Sequence, residues 1–199
     1  MRSPTPGATL PFMFSVRIHG RGGQGVVTAA ELLSLAAFLE GRHAQAFPSF
    51  GSERTGAPVV SFCRIADREI RVREPISAPD ALIVQDPTLL HQVDVFGGLA
   101  PQGSVLLNTS HSAADLGVEQ VAGGRVVTVP ASELAREHLG RPLPGPALLG
   151  GFAALTGVVS LASVVAAVHE RFSGETAAGN AAAAKAAYEL VGRREPVDA

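Results

Sequence analysis

The sequence predicts an α/β fold built on an open, mostly parallel sheet with a helical C-terminal tail. Three observations lead there. A strand-like run, a glycine-rich turn and a long Ala/Leu stretch follow one another near the N-terminus. Short apolar runs then alternate with helix-like segments over the first two thirds of the chain, the pattern of strands joined by crossovers. The last third carries Ala-rich helical stretches and no strand pattern.

Taken in order, Phe14–Ile18 alternates apolar and polar residues as a half-buried strand does. Gly20-Arg21-Gly22-Gly23-Gln24-Gly25 is the turn, Val26–Leu39 the first helix, and Gly41 its stop. His43–Phe47 reads as a short second strand, and Pro48–Pro58 as a loop bounded by prolines. Val59–Ile65 is a strong strand, and Ala66-Asp67-Arg68 turns it into Glu69–Val72 as a β-hairpin. Ala81–Val84 is wholly apolar, as in a strand buried on both faces. Asp86-Pro87 then caps a helix running to about Val95. Ser104–Leu107 and Arg125–Val129 are further strands, the latter followed by a helix to His138. Helices are expected over Ala147–Thr156, Leu161–Phe172 and Thr176–Val191. The result is a Rossmann-like sheet with helices on both faces. Ligands of such sheets bind beyond the carboxyl ends of the strands, where the glycine turn, the Pro48–Pro58 loop, Asp86 and Asn108 emerge.

Composition narrows the function. With 199 residues, 46% of them hydrophobic, the chain builds a sizeable core and is not a disordered segment. Only 17% are charged, which suggests surface covered by partner subunits. A net charge of −2 offers no general attraction to nucleic acid or an anionic membrane. A single cysteine, Cys63, excludes an internal disulfide and a cysteine-rich metal centre, and its apolar neighbours mark it as a small buried hydrophobe. No apolar run reaches spanning length, because glycines and serines interrupt Ala147–Val168. The opening residues carry three prolines and no signal-peptide core, so residues 1–13 are expected to be a flexible arm of a cytoplasmic protein. The domain proper is expected over 14–192, with 193–199 as a tail.

Free N–H groups at a helix start, with the positive end of its dipole, suit an anion. Gly20, Gly22 and Gly25 satisfy G-x-G-x-x-G, so a dinucleotide site has to be weighed. Such a site wants an acidic residue at the end of the second strand, and Gln45-Ala46-Phe47-Pro48 has none. No Lys-Ser or Lys-Thr completes a Walker pattern. The plain structural alternative is a tight turn and close helix–strand packing. In the following loop, the Arg54 guanidinium, the Thr55 hydroxyl and Gly56 form a set that can clasp a phosphate. The competing reading there is a solvated loop. No nucleophile–base set or metal-ligand spacing is present, His19, His43 and His91 being scattered. The residues by themselves describe a phosphate-type binding module without a chemical engine.

His19-Gly20-Arg21-Gly22-Gly23-Gln24-Gly25-Val26-Val27-Thr28-Ala29-Ala30-Glu31 resembles the opening motif of the gamma subunit of pyruvate:ferredoxin oxidoreductase and related 2-oxoacid:acceptor oxidoreductases. That family includes the phenylglyoxylate dehydrogenase gamma subunit. The likeness continues through Ala44–Pro48, Phe50–Pro58, Val84–Leu90, Asn108-Thr109 and Leu148-Leu149-Gly150 with Phe152, and covers Phe14 to about Leu190. It implies a non-catalytic subunit of a multi-subunit enzyme that oxidatively decarboxylates a 2-oxoacid, pyruvate or an aromatic one such as phenylglyoxylate, to an acyl-CoA. Thiamine diphosphate, Mg and [4Fe-4S] clusters would lie on alpha, beta and delta partner subunits. The acceptor would be ferredoxin, or NAD through a further FAD-bearing flavoprotein subunit. Coenzyme A would be the co-substrate that this chain helps to hold, with Gly22, Gly23, Gln24, Gly25, Arg54, Thr55 and Gly56 as the binding residues. Where the family often has Asn-Thr before the Leu-Leu-Gly helix, this chain has Pro144-Gly145-Pro146. The alternatives are a stand-alone dinucleotide-binding domain and a purely structural subunit of a coenzyme A-independent relative.

Overall fold

The computed structural model describes residues 12–49, 55–119, 121 and 124–194. Six strands, β1 (Met13–Arg21), β2 (His43–Pro48), β3 (Pro58–Ala66), β4 (Ala81–Val84), β5 (Ser104–Asn108) and β6 (Arg125–Val129), form one sheet in the order β2-β3-β1-β4-β5-β6. β1, β4, β5 and β6 run parallel, and β3 is antiparallel to both β1 and β2. Five α-helices complete the chain: α1 (Val26–Leu39), α2 (Ala131–Leu139), α3 (Gly145–Thr156), α4 (Leu161–Arg171) and α5 (Gly174–Arg194). The expected α/β class, mostly parallel sheet and helical C-terminal region are all present.

Three expectations need correction. The antiparallel hairpin is β2–β3, not β3 with Glu69–Val72, which is not a strand. β3 is already paired along both edges, Met13 opposite Ala66 on one side and His43 opposite Ala66 on the other, so it has no edge left to offer. Secondly, the α-helices do not cover both faces. All five contribute to one core, which includes Val16, Ile18, Leu33, Ile83, Leu106, Leu148, Phe152, Val164 and Ala184. The opposite face, centred on Leu82, Val84, Val105 and Leu107, is covered by irregular chain carrying Leu90, Phe96, Leu99, Leu116 and Val118. Thirdly, Asp86 caps as expected, accepting from Thr88 N–H with Pro87 following, but only a 3-10 turn over Pro87–His91 results. Beyond it the chain is irregular, and the buried Arg17 guanidinium ties that stretch to β1 by donating to the carbonyls of Val95 (2.9 Å) and Gly97 (2.7 Å).

Small residues set the spacing of the helical layer. A Cβ on Gly150 of α3 would collide with the Ala184 carbonyl of α5. Ala177, Ala181, Ala184 and Ala187 of α5 are buried, so the two axes approach closely and drive both into the core. At the other end of the chain β1 begins at Met13, and Phe12 lies under the Arg42 guanidinium at 4.4 Å. The remainder of the expected arm, residues 1–11, lies outside the described residues.

Candidate functional site

β1 extends through Arg21, further than its alternating pattern indicated, because β3 pairs with it as far as Arg21 opposite Pro58. The turn proper is therefore Gly22–Gly25. Gly23 and Gly25 have φ of 90° and 75°, left-handed values that favour glycine. Gly20 serves packing: a Cβ there would stand 2.6 Å from Val26 Cγ2. Gly25 is the N-cap of α1 with no side-chain cap and no acidic residue in the first turn. The positive end of the helix is thus left uncompensated by the chain itself.

The register of β1 with β3 brings the following loop to this turn. Gly22 forms a parallel bridge with Thr55; its N–H donates to Ala57 O at 2.9 Å, and Gly56 N–H donates to Gly22 O at 3.1 Å. Two stretches some thirty residues apart, Gly22–Gly25 and Thr55–Gly56, therefore form one backbone surface. Thr55 and Gly56 are exposed on it. Arg54 lies outside the described residues.

Arg21 behaves differently from a free anion ligand. Its Nε donates to Asp86 Oδ2 (3.0 Å), Nη1 to Gly56 O (3.0 Å), and Nη2 to Thr88 Oγ1 (2.8 Å) and Gln92 Oε1 (2.9 Å). Gln24 joins the same carboxylate, its Nε2 donating to Asp86 Oδ2 at 2.9 Å while its Oε1 accepts from Arg21 N–H at 2.8 Å. Burial works to raise the Asp86 carboxyl, but hydrogen bonds from Thr88 and Gln24 and the Arg21 charge outweigh it and hold it below the usual aspartate value. This is a latch that fastens the turn, the 55–57 stretch and the 3-10 turn together. Sequence placed Asp86 at the right end of the sheet but gave no sign of its partners.

Beneath the latch the polar groups are buried and inward. His19 Nε2 accepts from Arg17 Nε at 2.9 Å, and burial, then the Arg17 charge, push His19 down to about 4 against the pull of Asp94. His19 is consequently neutral at physiological pH and makes no proton-transfer partner for a ligand in the turn. Asn108 is also committed, donating to Gln85 O (2.7 Å) and Ser132 Oγ (2.8 Å) and accepting from Ser132 N–H. It ties β4 to β5 and α2 instead of facing a ligand. Cys63 is fully buried, which pushes its thiol up to about 12, as expected of a core residue. No cluster of three or more His, Cys, Asp or Glu among the described residues suits a metal.

On the helix side of the same turn lies a cleft of about 470 Å³. Gln24, Gly25 and Thr28 form one wall, the α2–α3 connection with Arg141 and Gly145 a second, and Arg171, Phe172, Thr176 and Asn180 the third. Thr176 and Asn180 are one helical turn apart and so share a face of α5. These residues come from four segments, and only the glycine turn among them was legible as a site in advance. The one available signal was a polar Asn180 within an alanine-rich helix.

Comparison with known proteins fits this architecture. The family model described as pyruvate ferredoxin/flavodoxin oxidoreductase matches residues 15–190. The chain is 47% identical over 177 residues to pyruvate synthase subunit PorC of Methanothermobacter marburgensis, covering 89% of this chain and 97% of that protein. It is 47% identical over 179 residues to the gamma subunit common to the pyruvate and ketoisovalerate oxidoreductases of Pyrococcus furiosus, covering 89% and 96%. The crystal structure of the pyruvate oxidoreductase subunit PORC of Thermotoga maritima superposes with a TM-score of 0.78 at 32% identity, over 89% of this chain and 96% of that one. A 2-oxoglutarate:ferredoxin oxidoreductase of Magnetococcus marinus shares the fold at a TM-score of 0.71 and 15% identity, this chain matching 32% of its length. The chain belongs to the pyruvate ferredoxin/flavodoxin oxidoreductase family, as a gamma subunit of a multi-subunit 2-oxoacid oxidoreductase.

Proposed function

We propose that this subunit holds coenzyme A and delivers its thiol to chemistry performed on partner chains. The observation that carries the reading is the backbone union of Gly22 with Thr55, Gly56 and Ala57. It joins the uncapped start of α1 to the loop bearing Arg54 and Thr55, so helix-start N–H groups, a hydroxyl and a guanidinium would address one phosphate region. The Magnetococcus relative in the fold was solved with coenzyme A and succinyl-CoA bound, which supports the choice of ligand.

The substrate of the whole complex is pyruvate on the strength of the relatives' names, with ketoisovalerate the next acid in line. An aromatic 2-oxoacid such as phenylglyoxylate remains within the chemistry, since acid selectivity would belong to other subunits. Alpha, beta and delta partners would carry thiamine diphosphate, Mg and [4Fe-4S] clusters, with ferredoxin or an NAD-linked flavoprotein as acceptor, in the cytoplasm. No described helix is long and apolar enough to cross a membrane.

The test is steady-state kinetics of the assembled complex carrying Arg54→Ala or Thr55→Val. Removal of a charged phosphate contact at Arg54 should raise the KM for coenzyme A about 10- to 100-fold, the equivalent of roughly 1.5–3 kcal/mol, with kcat preserved. The purified single chain should show no turnover. An unchanged KM for coenzyme A in both variants overturns the assignment.

A further inference from the structure

The cleft on the helix side of the glycine turn has features that the coenzyme A reading of the turn does not use. Arg141 and Arg171 both line it, both are exposed, and neither has an ion-pair partner among the described residues. The Arg171 guanidinium lies 5.5 Å from the centre of the Phe172 ring, which leaves a flat cationic–aromatic surface on one wall. Glu175 is the acidic group in the lining, so the two arginines leave a cationic excess. α1 and α3 both begin at its walls, and neither has a capping side chain or an acidic residue in its first turn. Their positive ends add to that excess.

Asn180 points most directly to a ligand. It is 3% exposed, lines the cleft on the same face of α5 as Thr176, and its side-chain amide makes no hydrogen bond to a described residue. The amide is not among the sealed-off polar atoms of the interior, so in this otherwise buried residue it is the polar end that is open to the cleft. The space it lines is about 470 Å³, well within the range of small-molecule sites. The amide's donor and acceptor suit the edge of a heterocycle or a sugar hydroxyl.

We propose that this cleft binds a phosphate ester joined to a flat or apolar group, of which a nucleotide is the type. Arg141 and Arg171 take the phosphate, the Phe172 wall takes the flat group, and Asn180 bonds its polar edge. Two sources offer that chemistry: the nucleotide end of coenzyme A, reaching over Gln24 and Gly25 from the turn, and a separate nucleotide acting as an effector. The first source rests on the coenzyme A reading above; the chemistry of the cleft does not.

The experiment is equilibrium binding of adenosine 3′,5′-bisphosphate to the full chain, with adenosine as the probe lacking phosphate. The bisphosphate should bind saturably, and adenosine at least tenfold more weakly. Arg141→Gln with Arg171→Gln should weaken the bisphosphate at least tenfold while leaving adenosine nearly unchanged. Asn180→Ala should weaken both probes, and Arg71→Gln, an exposed control outside the cleft, neither. Displacement of the probe by coenzyme A but not by pantetheine identifies the nucleotide end of coenzyme A as the ligand. Failure of coenzyme A to displace it identifies a separate nucleotide. If Arg54→Ala and Thr55→Val leave the KM for coenzyme A unchanged while the double arginine variant still loses the probe, the coenzyme A reading falls and the cleft stands. Absence of saturable binding to the wild-type chain, or equal affinity in the folded double variant, overturns the proposal.

Discussion

The two sides of the glycine turn both carry arginine and use it in opposite ways. On the sheet side Arg21 spends its guanidinium on Asp86, Gly56, Thr88 and Gln92. On the helix side Arg141 and Arg171 have no carboxylate partner, and the Asn180 amide no hydrogen-bond partner, among the described residues. A positive charge beside a helix start is thus no sign of a ligand by itself. What separates a fastening from a binding site is whether the donors are already satisfied. The turn is held rigid by one side so that the other can be left open, the arrangement a binding site on a stable scaffold requires.

The comparison breaks most visibly at Arg21. Arg21→Ala strands the partly buried Asp86 carboxylate and opens the bonds to Gly56 and Thr88, which should cost about 3 kcal/mol. For a chain of this length that corresponds to a fall in Tm of roughly 6–12 °C, measurable by calorimetry. Of comparable size is the pH response of His19 beneath the latch. Its folded value of about 4 lies below the ordinary histidine value, so its contribution is complete above about 6.5 and is lost as pH falls towards 4. The full difference is on the order of 3 kcal/mol. Denaturant titrations across that window should show a declining slope in the wild type and a flatter one in His19→Gln. Asp86 acts in a lower window: its depressed carboxyl gives stability above about 4 that is lost as pH falls through the folded value. Asp86→Asn should therefore be less stable at neutral pH and less sensitive to acid below that point.

The helix side should respond in the other sense. Asn180→Ala removes no hydrogen bond to a described residue and installs a better helix former, so Tm should rise slightly, by the equivalent of about 0.5 kcal/mol. Loss of probe binding in the same variant would couple stability to function at that residue. Arg141→Gln should change stability least, within about 0.5 kcal/mol, since its side chain is exposed and bonded to nothing described.

The legible part of this fold is the part with local signals. The glycine turn, the all-apolar β4 and the Asp86-Pro87 cap each announce themselves within a few residues. The misplaced hairpin shows the limit of such signals. Glu69–Val72 follows a good turn, but whether β3 has an edge to offer depends on β1 and β2, which lie earlier in the chain. The stretch after the short turn at Pro87 is likewise fixed from a distance, because Arg17 of β1 holds it through the carbonyls of Val95 and Gly97. The proposed binding surface divides likewise. Gly22–Gly25 and Thr55–Gly56 carry recognisable residue types, but their union depends on the register of β1 with β3. Arg141, Arg171 and Asn180 are set together by the packing of α2, α3, α4 and α5, which no short-range pattern encodes.

The central claim is that the joined turn and loop hold coenzyme A for partner subunits. The most direct measurement is the KM for coenzyme A of the assembled complex with Arg54→Ala and Thr55→Val combined. A rise of tenfold or more with kcat within a factor of two is the predicted result. A KM equal to that of the wild type, in a complex that assembles normally, would contradict it.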